Sequence, residues 1–141
     1  THQSGKAHAS ELAQAYRNSG VEATLVDFID DMAGAYAQAD LVVCRAGAMT
    51  VAELASAGVA SVLVPFPHAV DDHQTANARY LSERGAAFLV AQSDLTPDRI
   101  AGLIRSLDRG RLLEMARKAR EAARPDAAER VADVCEAIAS A

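Results

Sequence analysis

Short apolar segments alternate with helix-forming segments along the whole chain, and this alternation is the feature that most restricts the fold. Four apolar segments have the character of β-strands, and they cover residues 22–28, 40–44, 60–67 and 86–91. Strands that alternate with helices form mainly parallel sheets with helices packed on both faces. We therefore predict an α/β fold with three layers and a mainly parallel sheet.

The segments between and after these strands predict seven helices, several of which end at glycine or begin at a capping residue. The predicted helices cover residues 7–19, 31–39, 50–57, 71–84, 96–107, 111–123 and 126–139. The opening residues, Thr1 to Lys6, look like the end of a strand and its loop. We therefore expect a single domain over residues 1–141 that lacks its first strand, as part of a longer protein.

Composition excludes several classes of function. Half of the 141 residues are hydrophobic and 23% are charged, which is typical of a globular domain. The formal net charge is -5 and no run of Lys or Arg is present, so nucleic acid is not an expected partner. No apolar stretch approaches the roughly 20 residues that span a bilayer. Only two cysteines occur, Cys44 and Cys135, and reduced thiols in the cytoplasm are the simplest interpretation.

Polar residues follow the strands at the places where a parallel sheet binds its ligands. In such folds the ligand lies at the carboxyl ends of the strands. The four polar stretches in these places are His2 to Lys6, Ile29 to Met32, Arg45 to Glu53 and His68 to Asn77.

The segment from Arg45 to Glu53 places a glycine turn and a carboxylate where a buried strand passes into a helix. Thr50 and Glu53 have the spacing of a capping box, in which the Glu side chain bonds back to a free N–H at the helix start. Alternatively, the open N–H groups and positive dipole end of the helix bind a diphosphate. Glu53, one turn into the helix, would then accept hydrogen bonds from ribose hydroxyls. The spacing alone leaves both interpretations open.

The segment from His68 to Asn77 contains two His and two Asp within six positions. A metal site is one interpretation, although proximity in sequence does not create a closed set of ligands. A solvated helix start is the second. In the third, the amides of Gln74 and Asn77 bind sugar hydroxyls, because an amide both donates and accepts hydrogen bonds.

Together these segments resemble one family. The likeness is carried by HQSGK, FIDDMAGAYAQADLVVCRAGAMTVAELASAG, VPFP, DDHQTANARYL and ARPDAAERVADV, which occur here in that order. They are similar to the carboxy-terminal half of the MurG family, bacterial glycosyltransferases of the GT-B superfamily. The likeness implies a Rossmann-like domain that holds a nucleotide-sugar donor. It also implies an amino-terminal acceptor domain and a Gly-rich loop that are absent from this chain.

The resemblance implies a substrate-binding role for each site residue. The backbone of Ile29 would pair with the uracil edge, and Met32 would help to wall the base. Arg45 would have a positioning role beside the donor, and Glu53 would bind the ribose hydroxyls. The diphosphate would be held by Gly47, Ala48, Met49 and Thr50, and the N-acetylglucosamine by His73, Gln74 and Asn77.

The implied function is the UDP-GlcNAc-binding part of an inverting N-acetylglucosaminyltransferase that converts lipid I to lipid II in peptidoglycan synthesis. We expect this chain to bind the donor without turnover, and to contain no catalytic residue, metal site or cofactor. Expected partners are UDP-GlcNAc, lipid I through the missing domain, and further copies of the chain. The full-length protein would act at the cytoplasmic face of the inner membrane. Two alternatives remain: another GT-B transferase with a different acceptor, and a non-catalytic nucleotide-sugar-binding subunit.

Overall fold

The computed structural model describes residues 1–140, apart from the side chain of Val70. Ala141, the last residue of the predicted domain, lies outside the described residues. The chain divides into two compact units, one from Thr1 to Ala35 and one from Tyr36 onward. Both units contain parallel strands joined by helices, which confirms the predicted α/β class. A single domain over residues 1–141 stays a prediction.

The first unit contains two short parallel strands. β1 (His2–Gln3) pairs with β2 (Leu25–Val26), and the predicted strand end at the start of the chain is therefore present. Between them lie a 3-10 turn (Lys6–His8) and α1 (Ala9–Ser19). α1 ends at Gly20 as predicted, because the φ of 66° at this residue is a left-handed conformation that glycine adopts without steric cost.

The second unit contains a three-stranded parallel sheet in the order β3-β4-β5. Its strands are β3 (Val42–Cys44), β4 (Ser61–Leu63) and β5 (Ala87–Leu89), each inside a predicted apolar segment. Its helices are α3 (Ala48–Ala57), α4 (His73–Ser82), α5 (Pro97–Arg105), α6 (Arg109–Glu121) and α7 (Ala127–Ala139), and α2 (Met32–Gln38) enters it from the first unit. None of the helices within residues 1–140 has the length and apolar character needed to cross a bilayer.

The core of the second unit lies on both sides of its central strand. All three residues of β4 are 0% exposed, and successive side chains of a strand point to opposite faces. On one face, Val62 belongs to a cluster that is joined by Ile100 and Leu103 of α5. α3 packs against α4 and α6, and α4 packs against β5. Burial of both faces of β4 agrees with the predicted layers of helices on either side of the sheet.

The last helix contributes little to this core. Every described side chain of α7 is exposed, and its apolar residues Val131, Val134 and Ile138 are between 59% and 73% exposed. α7 begins two residues after Pro125, where the sequence predicted a break between helices.

Ser61 is the buried residue whose replacement should raise stability. Its hydroxyl is fully buried on β4 and has no hydrogen-bond partner among the described residues. An unsatisfied buried hydroxyl loses its bonds to water without replacement. Ser61→Ala should therefore raise the free energy of unfolding by about 1 kcal/mol, measured by denaturant unfolding. Ser93→Ala, at an exposed position, should change it by less than about 0.5 kcal/mol. A loss of stability in Ser61→Ala would mean that the hydroxyl has a partner, such as an internal water.

Candidate functional site

The loop between β3 and α3 carries the first group of predicted site residues. α3 begins at Ala48, and Gly47 is its N-cap, with an extended φ of -63° and ψ of 147°. Thr50 therefore lies inside the first turn of the helix, so the capping-box interpretation of Thr50 and Glu53 is wrong. Because glycine has no side chain, the N-cap residue cannot satisfy the first N–H groups of α3. These groups have the geometry that binds anions at helix starts.

Neither backbone strain nor packing explains a glycine at position 47. Its φ is one that any residue adopts. A Cβ atom at this position would meet only the hydroxyl oxygen of Thr50, at an ordinary contact distance of 3.7 Å. Glycine places no side chain in front of the helix start.

Glu53 lies one turn into α3 and is exposed. Its carboxylate does not reach back to the helix start. Instead, Glu53 Oε2 accepts a hydrogen bond from the hydroxyl of Tyr36 on α2, at 3.1 Å. The Tyr36 side chain is 7% exposed, and burial, followed by the hydrogen bond and charge of Glu53, raises its pKa to about 12. Cys44 is partly buried at the end of β3, and burial raises the pKa of its thiol to about 11.

The raised pKa values predict loss of stability at alkaline pH. The folded chain holds the protons of Cys44 and Tyr36 more tightly than the unfolded chain, whose values are near 9 and 10. This stabilisation is complete below about pH 9 and is lost as the pH rises from about 9 to about 12, by on the order of 1–3 kcal/mol for each group. Denaturant unfolding across this range measures the effect. Cys44→Ala should show a smaller decrease between pH 9 and pH 11, and an unchanged decrease would exclude a contribution from Cys44.

Arg45 connects this loop to the end of β4. Its Nη1 donates to the carbonyl oxygens of Val64 and Pro65, both at 3.3 Å. Its guanidinium also lies 5.6 Å from the centre of the Phe66 ring, within the range of a cation–π contact. Arg45 therefore contacts the loop from Val64 to Phe66, and its positioning role beside the donor stays a prediction.

The two amides predicted to bind sugar also make scaffold contacts. Gln74 Oε1 accepts a hydrogen bond from the Phe66 N–H at 2.9 Å, and Asn77 Nδ2 donates to the Ala46 carbonyl at 3.0 Å. Gln74 thereby uses the carbonyl end of its amide, and Asn77 uses one N–H. The NH₂ group of Gln74 and the carbonyl of Asn77 are not part of these two bonds. The start of α4 is thus tied to the loops that follow β3 and β4.

The residues just before Gln74 form a tight helix start. Asp71 and Asp72 both have a φ of 52°, a left-handed conformation that is uncommon outside glycine. The Asp72 carboxylate accepts a hydrogen bond from the Thr75 hydroxyl at 2.6 Å. His73, the first residue of α4, is exposed. Within residues 1–140, no three His, Cys, Asp or Glu side chains are grouped so that they could hold a metal ion.

Ile29 and Met32 belong to the first unit. The Ile29 N–H donates to Gln3 Oε1 at 3.1 Å, so a base that used this N–H would displace the Gln3 amide. The Ile29 carbonyl takes no part in that bond. Met32 is the first residue of α2, and Asp31 caps the helix by accepting a hydrogen bond from the Gly34 N–H at 2.8 Å.

Three residues to which the sequence analysis gave no individual role contact the predicted site residues: Gln3, Tyr36 and Phe66. Tyr36 had a usable signal. It is an aromatic residue in an alanine-rich helix, and a buried tyrosine hydroxyl generally requires a hydrogen-bond partner. The contacts of Gln3 and Phe66 had no comparable local signal.

Parallel strands joined by helices, with polar residues and a helix start at their carboxyl ends, define a Rossmann-like α/β domain, a class that binds its ligands at this edge of the sheet. Comparison with known families narrows this class. The model of the glycosyltransferase family 28 C-terminal domain matches residues 1–131, and the chain belongs to this family. The family resemblance drawn from the sequence motifs is thereby confirmed.

Individual relatives agree with this family. The chain is 61% identical over 140 residues to a protein of Aromatoleum aromaticum, and 62% identical over 138 residues to one of Dechloromonas aromatica. Both are named UDP-N-acetylglucosamine--N-acetylmuramyl-(pentapeptide) pyrophosphoryl-undecaprenol N-acetylglucosamine transferase. The matches cover 99% and 98% of this chain but only 39% of each relative. The chain therefore spans about two fifths of the length of these relatives.

Solved structures of glycosyltransferases also resemble this chain. The crystal structure of Acinetobacter baumannii MurG superposes with a TM-score of 0.89 at 46% identity, over 94% of this chain and 41% of that one. A glycosyltransferase of kitacinnamycin superposes with a TM-score of 0.59 at 25% identity, over 80% of this chain and 29% of that one. The fold is thus shared with transferases of different names.

Proposed function

We propose that this chain is the UDP-GlcNAc-binding part of an inverting N-acetylglucosaminyltransferase that converts lipid I to lipid II in peptidoglycan synthesis. The observation that carries the proposal is the 61–62% identity, over nearly the whole chain, to transferases whose names specify this donor and this acceptor. The second unit supports donor binding, because it combines a helix start without a side-chain cap, a carboxylate that accepts a hydrogen bond from Tyr36, and two amides.

The diphosphate of the donor would lie at the start of α3. The backbone N–H groups of Ala48, Met49 and Thr50 belong to the first turn, and the N-cap Gly47 leaves the approach to them open. Met49 is 73% exposed, so its contribution would come from its main chain. Glu53, one turn further on, would accept hydrogen bonds from the ribose hydroxyls.

The N-acetylglucosamine would be bound at the start of α4. Gln74 would donate through its NH₂ group and Asn77 would accept through its carbonyl, the parts of each amide that the scaffold bonds leave out. His73 would lie beside them. Arg45 would hold the loop from Val64 to Phe66 in place. Independently of these residues, the backbone of Ile29 would pair with the uracil edge and Met32 would wall the base.

The proposed chemistry is direct displacement with inversion at the anomeric carbon of the sugar. The first turn of α3 would stabilise the negative charge that develops on the leaving UDP, through its N–H groups and helix dipole. The general base and the lipid I site would be supplied by an amino-terminal domain of the kind that GT-B transferases have. This chain would therefore bind donor without turnover, and without a metal ion or cofactor. The full-length protein would act at the cytoplasmic face of the inner membrane.

Calorimetric titration of the chain with UDP-GlcNAc, UDP and GDP tests donor binding. The two uridine ligands should bind, and GDP should bind much more weakly or not at all. If GDP binds as well as UDP, or if no nucleotide binds, the donor-site proposal is wrong.

A domain exchange tests the complete reaction. The chain would replace the matching 39% of the Aromatoleum aromaticum relative, and transfer of GlcNAc to lipid I would be measured. The hybrid should form lipid II, whereas the 141-residue chain alone should not. Because the acceptor site of the hybrid comes from the relative, the alternative of another GT-B transferase is tested through the donor instead. Binding of UDP-glucose to the chain as tight as that of UDP-GlcNAc would favour that alternative. Donor binding without any transfer would favour a non-catalytic subunit.

A further inference from the structure

Tyr36 is a buried aromatic residue whose hydroxyl donates a hydrogen bond to an exposed side chain. Its side chain is 7% exposed, and its hydroxyl donates to Glu53 Oε2 at 3.1 Å. The two residues come from different helices, α2 and α3, and are 17 positions apart. The acceptor Glu53 is exposed, so the bond joins a fixed donor to a side chain that would otherwise move in solvent.

An exposed Glu side chain has several accessible rotamers, and fixing it costs conformational entropy when a ligand binds. A hydrogen bond from a rigid, packed phenol reduces this cost before the ligand arrives. The bond uses one lone pair of Oε2, which leaves Oε1 and the second lone pair of Oε2 able to accept from other donors. Because the pKa of Tyr36 is raised, its hydroxyl remains a donor throughout the neutral range.

We propose that Tyr36 is a positioning residue, which holds the Glu53 carboxylate in the orientation that accepts hydrogen bonds from the ribose hydroxyls of the donor. This inference rests on the proposed function, because it needs Glu53 to contact the ribose. It assigns Tyr36 no contact with the substrate. The proposal has a specific consequence. Loss of the Tyr36 hydroxyl should lower the affinity only for ligands that have ribose hydroxyls.

A titration series with UDP and 2′,3′-dideoxy-UDP tests this consequence. Tyr36→Phe removes one oxygen atom and keeps the ring, so the fold should persist. It should weaken UDP binding by about 5- to 10-fold, because the ligand would then have to order the Glu53 side chain, and leave 2′,3′-dideoxy-UDP binding unchanged. Glu53→Ala should remove the preference for UDP over 2′,3′-dideoxy-UDP. Adding Tyr36→Phe to Glu53→Ala should cause no further loss of UDP affinity.

Tyr80→Phe is the matched control. The Tyr80 hydroxyl donates to the Ala122 carbonyl at 2.6 Å, so this tyrosine also makes one hydrogen bond between elements, at a place with no proposed ligand contact. Its replacement should lower the Tm without changing the ratio of the two affinities. The ratio of the UDP and 2′,3′-dideoxy-UDP affinities therefore distinguishes a specific effect on Glu53 from a general loss of stability.

Each outcome decides the inference. If wild-type chain fails to bind UDP, the proposed function and the Tyr36 inference both fall. If Glu53→Ala weakens UDP binding but Tyr36→Phe does not, the Tyr36 inference alone is wrong. If Tyr36→Phe weakens both nucleotides equally, as a merely structural residue would, the inference is also wrong.

Discussion

Replacing Gly47 with aspartate should leave the chain folded and weaken its binding of UDP by about 100-fold or more. Aspartate is among the best N-cap residues, and Gly47 is the N-cap of α3. The new carboxylate would accept hydrogen bonds from the first N–H groups of the helix. The free energy of unfolding should therefore stay constant or rise by a few tenths of a kcal/mol.

The loss of UDP binding follows from the same carboxylate. It would occupy the N–H groups that the proposed site offers to the diphosphate, and it would place a negative charge beside two others. Near a protein surface, two unit charges about 4 Å apart interact by about 4 kcal/mol, and 1.4 kcal/mol corresponds to a factor of ten in affinity. The substitution thus separates stability from function. The Asp side chain would cap the helix and preserve stability, but it would block the N–H groups that are proposed to bind the diphosphate.

Two further variants at position 47 distinguish the effect of the negative charge on UDP binding from the effect of the size of the side chain. Gly47→Asn caps the helix without a charge and should give an intermediate loss. Gly47→Ala adds only a Cβ atom, which the structure accommodates, and brings neither a cap nor a charge, so it should cause the smallest loss of UDP binding. Titrations with UDP and with uridine measure binding, and uridine affinity should not change in any variant. Unchanged UDP affinity in Gly47→Asp would exclude the start of α3 as the diphosphate site.

The fold was predictable because its signals are local. Gly20 and Gly58 end α1 and α3 in left-handed conformations, as the sequence indicated. Thr96 caps α5 by accepting a hydrogen bond from the Arg99 N–H at 3.3 Å, with a proline at the first helical position. Each signal lies within a few residues of the element that it controls. The order of apolar segments then defined the parallel strands without knowledge of any distant contact.

The details of the site were less predictable because they depend on distant contacts. Thr50 and Glu53 matched a capping box, but the chain enters α3 at Gly47, and the partner of Glu53 is Tyr36 on another helix. The Ile29 N–H meets a side chain 26 positions away, and Asn77 meets a carbonyl 31 positions away. A capping pattern in the sequence indicates only which hydrogen bonds are possible between neighbouring residues. Tertiary packing decided which of the permitted bonds formed.

Replacing Glu53 should weaken UDP binding by about 100-fold for Glu53→Ala and by about 10-fold for Glu53→Gln. A hydrogen bond to an ionised acceptor contributes about 1.5–3 kcal/mol, roughly twice the value for a neutral acceptor. The glutamine amide can still accept from Tyr36 and from one ribose hydroxyl, which explains the smaller effect. Glu53→Gln should also keep the stability of the chain, whereas Glu53→Ala leaves the buried Tyr36 hydroxyl without its acceptor and should lower stability by about 1 kcal/mol.

The sign of the effect is the decisive part of this prediction. Glu53 is a negative charge one turn from the proposed diphosphate site, on a chain whose formal net charge is already -5. If Glu53 made no contact with the ligand, removing its charge would strengthen the binding of an anion. Weaker binding of UDP therefore requires a favourable contact that exceeds the repulsion. Glu121→Gln, which changes the net charge equally at an exposed position on α6, is the control and should leave UDP affinity nearly constant. Tighter UDP binding in Glu53→Gln would exclude Glu53 from the ribose site.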